Sequence, residues 1–163
     1  MLLTETVSTS VRTWPLHGST PMPAVLDAVA VRISRAPRTG EGMAESERPW
    51  PGRMRRTVRA MLRKWQREAW VDSAGLLVSE LTTNAFQHGA AADVSVHLAL
   101  TATFIGIEVD DGTPTPPRPR TAGALEESGR GLLLVAALSD AWGVSPDGTR
   151  TWCLLTTHTP EET

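Results

Sequence analysis

The stretch Glu80-Leu81-Thr82-Thr83-Asn84-Ala85-Phe86-Gln87-His88-Gly89 decides how this chain is read. It closes an apolar-periodic run, so a helix is expected over residues 74–87, capped by Asp72 or Ser73 and ended near Gly89. Glu80 and Asn84 are four residues apart and leave such a helix from one face, with His88 one turn further. A carboxylate and an amide oxygen on adjacent turns can do two linked jobs. The amide oxygen can ligate a hard cation such as Mg2+, which prefers oxygen donors and brings phosphates with it. The carboxylate can orient or deprotonate an attacking hydroxyl or water. Taken alone, the same residues are more often a solvated polar face. The surrounding sequence has to decide.

Upstream, residues 53–70 carry Met54, Val58, Met61, Leu62 and Trp65 at helical spacing. The other face of this amphipathic helix holds Arg53, Arg55, Arg56, Arg59, Arg63, Lys64 and Arg67. Downstream, residues 93–100 alternate, with Val94, Val96, Leu98 and Leu100 on one side, and residues 104–111 continue with Ile105, Ile107 and Val109. A hairpin at residues 101–103 joins the two strands. Residues 113–121 (TPTPPRPRT) are too proline-rich for a helix interior or a central strand and read as a loop. Residues 131–138 read as a short apolar helix. Residues 141–144 and 149–156 read as strands joined by the turn Pro146-Asp147-Gly148. The order helix, helix, strand, strand, loop, helix, strand, strand predicts an α+β two-layer sandwich, with a mostly antiparallel sheet and helices on one face.

The first 49 residues differ. Prolines recur at 15, 21, 23, 37 and 49, and residues 36–49 (APRTGEGMAESERP) read as a loop or linker. Residues 24–33 (AVLDAVAVRI) fit a short helix or a strand. The organisation expected is a variable, partly ordered segment over 1–49, one domain over 50–158, and a tail over 159–163.

Composition narrows the function. The chain has 163 residues, 40% of them hydrophobic, and a formal net charge of -2, which disfavours a general polyanion binder. Cys153 is the single cysteine, which excludes an internal disulfide framework and a multi-cysteine zinc site. No apolar run approaches the ~20 residues of a membrane span. No signal peptide is expected, and a reducing, cytoplasmic setting is the default.

Two further elements accompany the decapeptide. At the end of the second strand stand Asp110-Asp111-Gly112. Asp111 extends the inward alternation, and a semi-buried carboxylate there needs a donor such as the exocyclic amine of adenine. Alone, Asp-Asp-Gly is ordinary turn chemistry. The third element is Ser128-Gly129-Arg130-Gly131-Leu132, where glycines leading into a helix let backbone N–H groups approach an anion. Alone, this is a weak phosphate signal.

Together, the order and spacing resemble the ATP-binding fold shared by histidine kinases, gyrase and MutL, the Bergerat or GHKL fold. Residues 80–89 resemble its N box, 109–112 its first glycine box, and 129–132 its second. The likeness covers about residues 50–157 and is closest to the actinobacterial anti-sigma-factor serine kinases. In these a proline-containing segment follows the Asp, then Gly-Arg-Gly-Leu, then Trp-Gly; here these are residues 113–117, 129–132 and Trp142-Gly143.

This resemblance implies roles residue by residue. Glu80 would be the general base. Asn84 would bind Mg2+ at the ATP phosphates. Asp111 would accept the adenine amino group, with Gly112 letting the backbone pass close to the base. Gly129, Arg130 and Gly131 would line the phosphates, with Leu132 at the helix start. Thr151 matches a position near adenine. His88 stands where relatives often have His, and suits the negative end of a helix dipole equally well. The loop over 113–128 would act as a lid. The function implied is an ATP-dependent serine/threonine protein kinase of the anti-sigma-factor type, with ATP and Mg2+ as cofactors. It would phosphorylate a small antagonist protein and regulate transcription through partner switching with a sigma factor. A homodimer is allowed, and nucleic acid and membrane partners are disfavoured. The alternative is a non-catalytic ATP-sensing interaction module of the same fold. Two departures stand out. The first glycine box lacks its second Gly, and Arg150 replaces a Lys common before the last strand.

Overall fold

The computed structural model describes residues 5–8, 23–37, 40, 42–114 and 127–157. Most of the proline-rich stretch, and with it most of the expected lid, lies outside the described residues. The two readings left open for 24–33 are decided in favour of a strand, because Val29, Val31 and Ile33 alternate into the core. This is β2 (Val25–Ser34), which pairs with β1 (Glu5–Ser8) on one side and β3 (Asp93–Thr101) on the other. The sheet therefore extends back ahead of residue 50. It continues through β4 (Phe104–Asp110), β6 (Arg150–Thr156) and β5 (Ala141–Val144), in the order β1-β2-β3-β4-β6-β5. Every neighbouring pair is antiparallel. One row crosses the sheet on its inner face: Val31, Val96, Val109, Thr151 and Val144.

The helices cover that face. α1 (Trp50–Lys64) starts at Trp50 rather than at 53, because Pro49 and Pro51 are tolerated where the first-turn N–H groups have no partner anyway. It ends at Lys64 rather than running to 70. Gln66 turns the chain with φ 57°, and the Arg67 N–H donates back to the Leu62 carbonyl at 2.8 Å. A single 3-10 turn (Glu68–Trp70) then leads straight into α2 (Val71–His88). Neither Asp72 nor Ser73 caps α2, since Trp70 holds that position with no side-chain cap. Asp72 instead lies in the first turn and pairs with Arg59 at 3.2 Å. α2 buries Ala74, Leu77, Val78, Leu81, Ala85 and Phe86 in the same core as Ile105, Ile107 and Val109. Each large side chain so buried contributes about 1.5–3 kcal/mol. α3 (Glu127–Leu138) packs beside α2 and sends Val135 into the core. It begins at Glu127, so Gly129 and Gly131 lie within its first turns and not in a loop ahead of it.

The basic face of α1 is only partly solvated. Arg55 donates to the Ser79 hydroxyl at 2.7 Å, and Arg59 reaches Asp72, so both lie across α2 at Gly75. Arg53, Arg56, Arg63 and Lys64 remain exposed. No helix among the described residues is long and apolar enough to cross a membrane.

Candidate functional site

Two contacts of α2 build the site, one in mid-helix and one at its end. In mid-helix, Glu80 and Asn84 are half-buried and end against α3. A Cβ at Gly131 would stand 2.9 Å from Glu80 Oε2 and 3.4 Å from both Asn84 side-chain atoms. Only a residue without a side chain allows this approach. Leu132, the next residue, is buried at 5% exposure and anchors the turn. The first turn of α3 contains Gly129 and carries N–H groups that have no partner within the helix. They form the positive end of the helix dipole. The side chain of Arg130 lies outside the described residues.

At the other contact, α2 ends against Asp111. Strand β4 stops at Asp110, one residue earlier than expected. The Asp111 N–H still donates to the Thr149 carbonyl of the neighbouring chain segment at 3.1 Å. Asp111 is half-buried. Among the described residues, Thr113 is the one donor to its carboxylate, from its N–H to Oδ1 at 2.8 Å. Burial pushes the Asp111 pKa above the ordinary 3.8, and the bonds from Thr113 offset this only in part. A Cβ at Gly89 would lie 2.8 Å from Asp111 Cβ. A Cβ at Gly112, whose φ is +64°, would lie 2.4 Å from Ala91 Cβ. The two glycines thus press the α2–β3 connection onto the Asp111 turn.

Residues 51–155 match the model of the histidine kinase-like ATPase domain. The chain belongs to this family. The match spans more than half of the sequence and includes both contacts of α2. No curated protein matches the chain. An ATPase domain implies ATP as ligand, and the donor set of this one fits a nucleotide stretched along α2. Asp111 offers an acceptor at one end. Asn84 and Glu80, about 7.5 Å and about 13.5 Å back along the helix axis from Gly89, offer metal-ligating oxygens, and the first turn of α3 offers N–H groups. Mg2+ usually keeps several waters and takes only one or two protein ligands beside phosphates. No cluster of three or more His, Cys, Asp or Glu is found among the described residues, and none is required for such a site.

Thr151 lies on β6 opposite Val109, two residues from Thr149, whose carbonyl holds Asp111. It faces the helices next to the Asp111 turn. His88 is exposed at the last residue of α2. Arg150 lies within 3.9 Å of Asp147 across the turn before β6. One group beside Asp111 was not singled out by the sequence reading: Arg35, buried at 6% exposure, whose guanidinium donates to the Gly89 and Phe86 carbonyls. A lone Arg at the end of an apolar strand gives no periodic signal.

Proposed function

We propose that this ATPase domain is a serine/threonine protein kinase of the anti-sigma-factor type. It binds ATP with Mg2+ and transfers the γ-phosphoryl group to a hydroxyl on a small antagonist protein, and so governs the release of a sigma factor in the cytoplasm. The observation that carries the reading is the meeting of Glu80 and Asn84 at Gly131, within the first turns of α3. Phosphoryl transfer asks the protein mainly for positioning and charge stabilisation. Asn84 would hold Mg2+, which neutralises phosphate charge when bound. The N–H groups of the first turn of α3, which have no partner within the helix, would face the phosphate oxygens together with Arg130. Asp111 and Thr151 would hold the adenine. Glu80 would accept the hydroxyl proton as the new O–P bond forms and the bond to the β-phosphate oxygen breaks, leaving ADP. A half-buried carboxylate at this position serves a transfer reaction and adds nothing to simple nucleotide binding, which favours a kinase over a sensing module. The exposed cations Arg53, Arg56, Arg63 and Lys64 on α1 suit a protein partner with an acidic surface.

The test is transfer of radiolabelled γ-phosphate from ATP to a panel of anti-sigma-factor antagonist proteins, with Glu80→Ala as control. Transfer by the wild type, with at least about a hundredfold loss in Glu80→Ala and ATP binding retained, is expected. ATP binding without transfer or hydrolysis in either protein would leave the sensing module as the function.

A further inference from the structure

Arg35 and Glu47 form a fully buried ion pair, each side chain 1% exposed, with Nε and Oε1 at 2.7 Å. Desolvation of two charges offsets much of their attraction, so such a pair is weak evidence for stability and invites a positional role. The placement of its bonds suggests which one. Arg35 follows β2, and Glu47 sits in a single 3-10 turn whose Ala44 N–H donates to Oε2 at 2.9 Å. Glu47 takes Nε and one terminal nitrogen of the guanidinium, the latter at 3.2 Å. Nη1 donates to the Gly89 carbonyl at 2.8 Å, and Nη2 to the Phe86 carbonyl at 2.9 Å. The guanidinium also lies 5.3 Å from the centre of the Phe86 ring. The Arg35 N–H donates to the Ala92 carbonyl at 2.7 Å.

Every bond that Arg35 donates outside the pair therefore lands on the end of α2 and its connection to β3. Helix ends leave carbonyls without intrahelical partners, and here one arginine serves two groups at that end. Gly89 is also the residue pressed against Asp111, at 2.8 Å from a Cβ position to Asp111 Cβ. A shift of the Gly89 backbone therefore shifts Asp111.

Resting on the reading of Asp111 as the adenine acceptor, we propose that Arg35, oriented by Glu47, is a positioning residue for base recognition. It fixes the Gly89 carbonyl and so sets where the Asp111 carboxylate stands. Lysine cannot replace it, because a point-like ammonium lacks the planar fork that reaches Glu47 and two carbonyls together.

The test compares ATP with ITP, which carries an oxygen where ATP carries the exocyclic amine and has the same triphosphate. Affinities are measured by calorimetry on the full chain for the wild type, Arg35→Met/Glu47→Met and Arg35→Lys. The double variant removes both charges together, a change that buried pairs often tolerate, and circular dichroism checks its fold. The wild type should prefer ATP by roughly a hundredfold or more, as sites built around a substrate N–H do. The folded double variant should lose at least about tenfold of that preference while its ITP affinity stays near wild type, because the triphosphate contacts lie elsewhere. A wild-type ATP-to-ITP ratio in the folded double variant overturns the proposal and leaves the pair purely structural. If the double variant does not fold, Arg35→Lys decides by the same ratio, with an unchanged value again overturning it. A wild type that binds both nucleotides equally refutes the role of Asp111 itself.

Discussion

Replacing Gly131 by alanine separates the site from the fold. The new Cβ would stand 2.9 Å from Glu80 Oε2, about half an ångström inside ordinary contact, and 3.4 Å from the Asn84 side-chain atoms, already at its edge. The crowded atom is the far end of a flexible carboxylate, so the backbone has no reason to move. Alanine in place of glycine inside a helix gains up to about 1 kcal/mol from backbone entropy alone. Gly131→Ala should therefore unfold in urea at the wild-type midpoint or slightly above it. The carboxylate must swing aside, and displacements of about half an ångström to an ångström at a reacting group cost on the order of ten- to a hundredfold in rate. Phosphoryl transfer, or ATP hydrolysis where no acceptor is present, should fall by that factor while ATP binding weakens much less. An unchanged rate would refute the placement of Glu80 at the reacting phosphate. A loss of several kcal/mol in stability would refute the premise that only a side-chain tip is in the way.

Gly89→Ala should behave in the opposite sense, because its Cβ would meet the Ala85 carbonyl at 2.4 Å and Asp111 Cβ at 2.8 Å. With backbone in the way, urea denaturation should show a loss of about 1–3 kcal/mol, and calorimetry should show weakened ATP binding. Burial raises the Asp111 pKa above 3.8, and the carboxylate is the stronger acceptor for the adenine amine when ionised. ATP affinity should thus weaken on acidification with a midpoint above 3.8, and a titration of Kd against pH should lose that step in Asp111→Asn. For stability the sign is reversed from that of a salt-bridged carboxylate. The Asp111 contribution to folding is most favourable below 3.8 and diminishes as pH rises through the raised folded value, which pH-dependent unfolding of the wild type against Asp111→Asn reports. Cys153 is fully buried, and burial pushes its thiol up to about 12, so a thiol reagent at neutral pH should label it only on unfolding.

Much of this was legible in the sequence, for reasons that differ by element. β3 announces itself because one face packs under the helices, which enforces the alternation of Val94, Val96, Leu98 and Leu100; β4 keeps the same inward series, Ile105, Ile107 and Val109, although Phe104 and Glu108 on its other face are buried as well. Glu80 and Asn84 were legible because a helix repeats every turn, so spacing by four places both on one side. Their meeting with Gly131 was not, since it depends on how closely α3 approaches α2. Helix ends proved least legible. Pro49 reads as the end of a linker and instead stands at the N-cap of α1, with Pro51 in the first turn, and α2 follows its 3-10 turn with no side-chain cap at Asp72. Glu47 lies in the stretch 36–49, whose glycines, prolines and charges read as linker, and Arg35 stands just ahead of it. The carbonyl partners of Arg35 are more than 50 residues away in sequence, where no periodicity reaches them.

The most direct test of the nucleotide site is calorimetric titration of ATP into the wild type, Asp111→Ala and Asn84→Ala, each with and without Mg2+. The account predicts Mg2+-dependent binding by the wild type, collapse of binding in Asp111→Ala, and loss of the Mg2+ dependence in Asn84→Ala. Wild-type protein that fails to bind ATP at millimolar concentration, or an Asp111→Ala variant that binds as the wild type does, would contradict it.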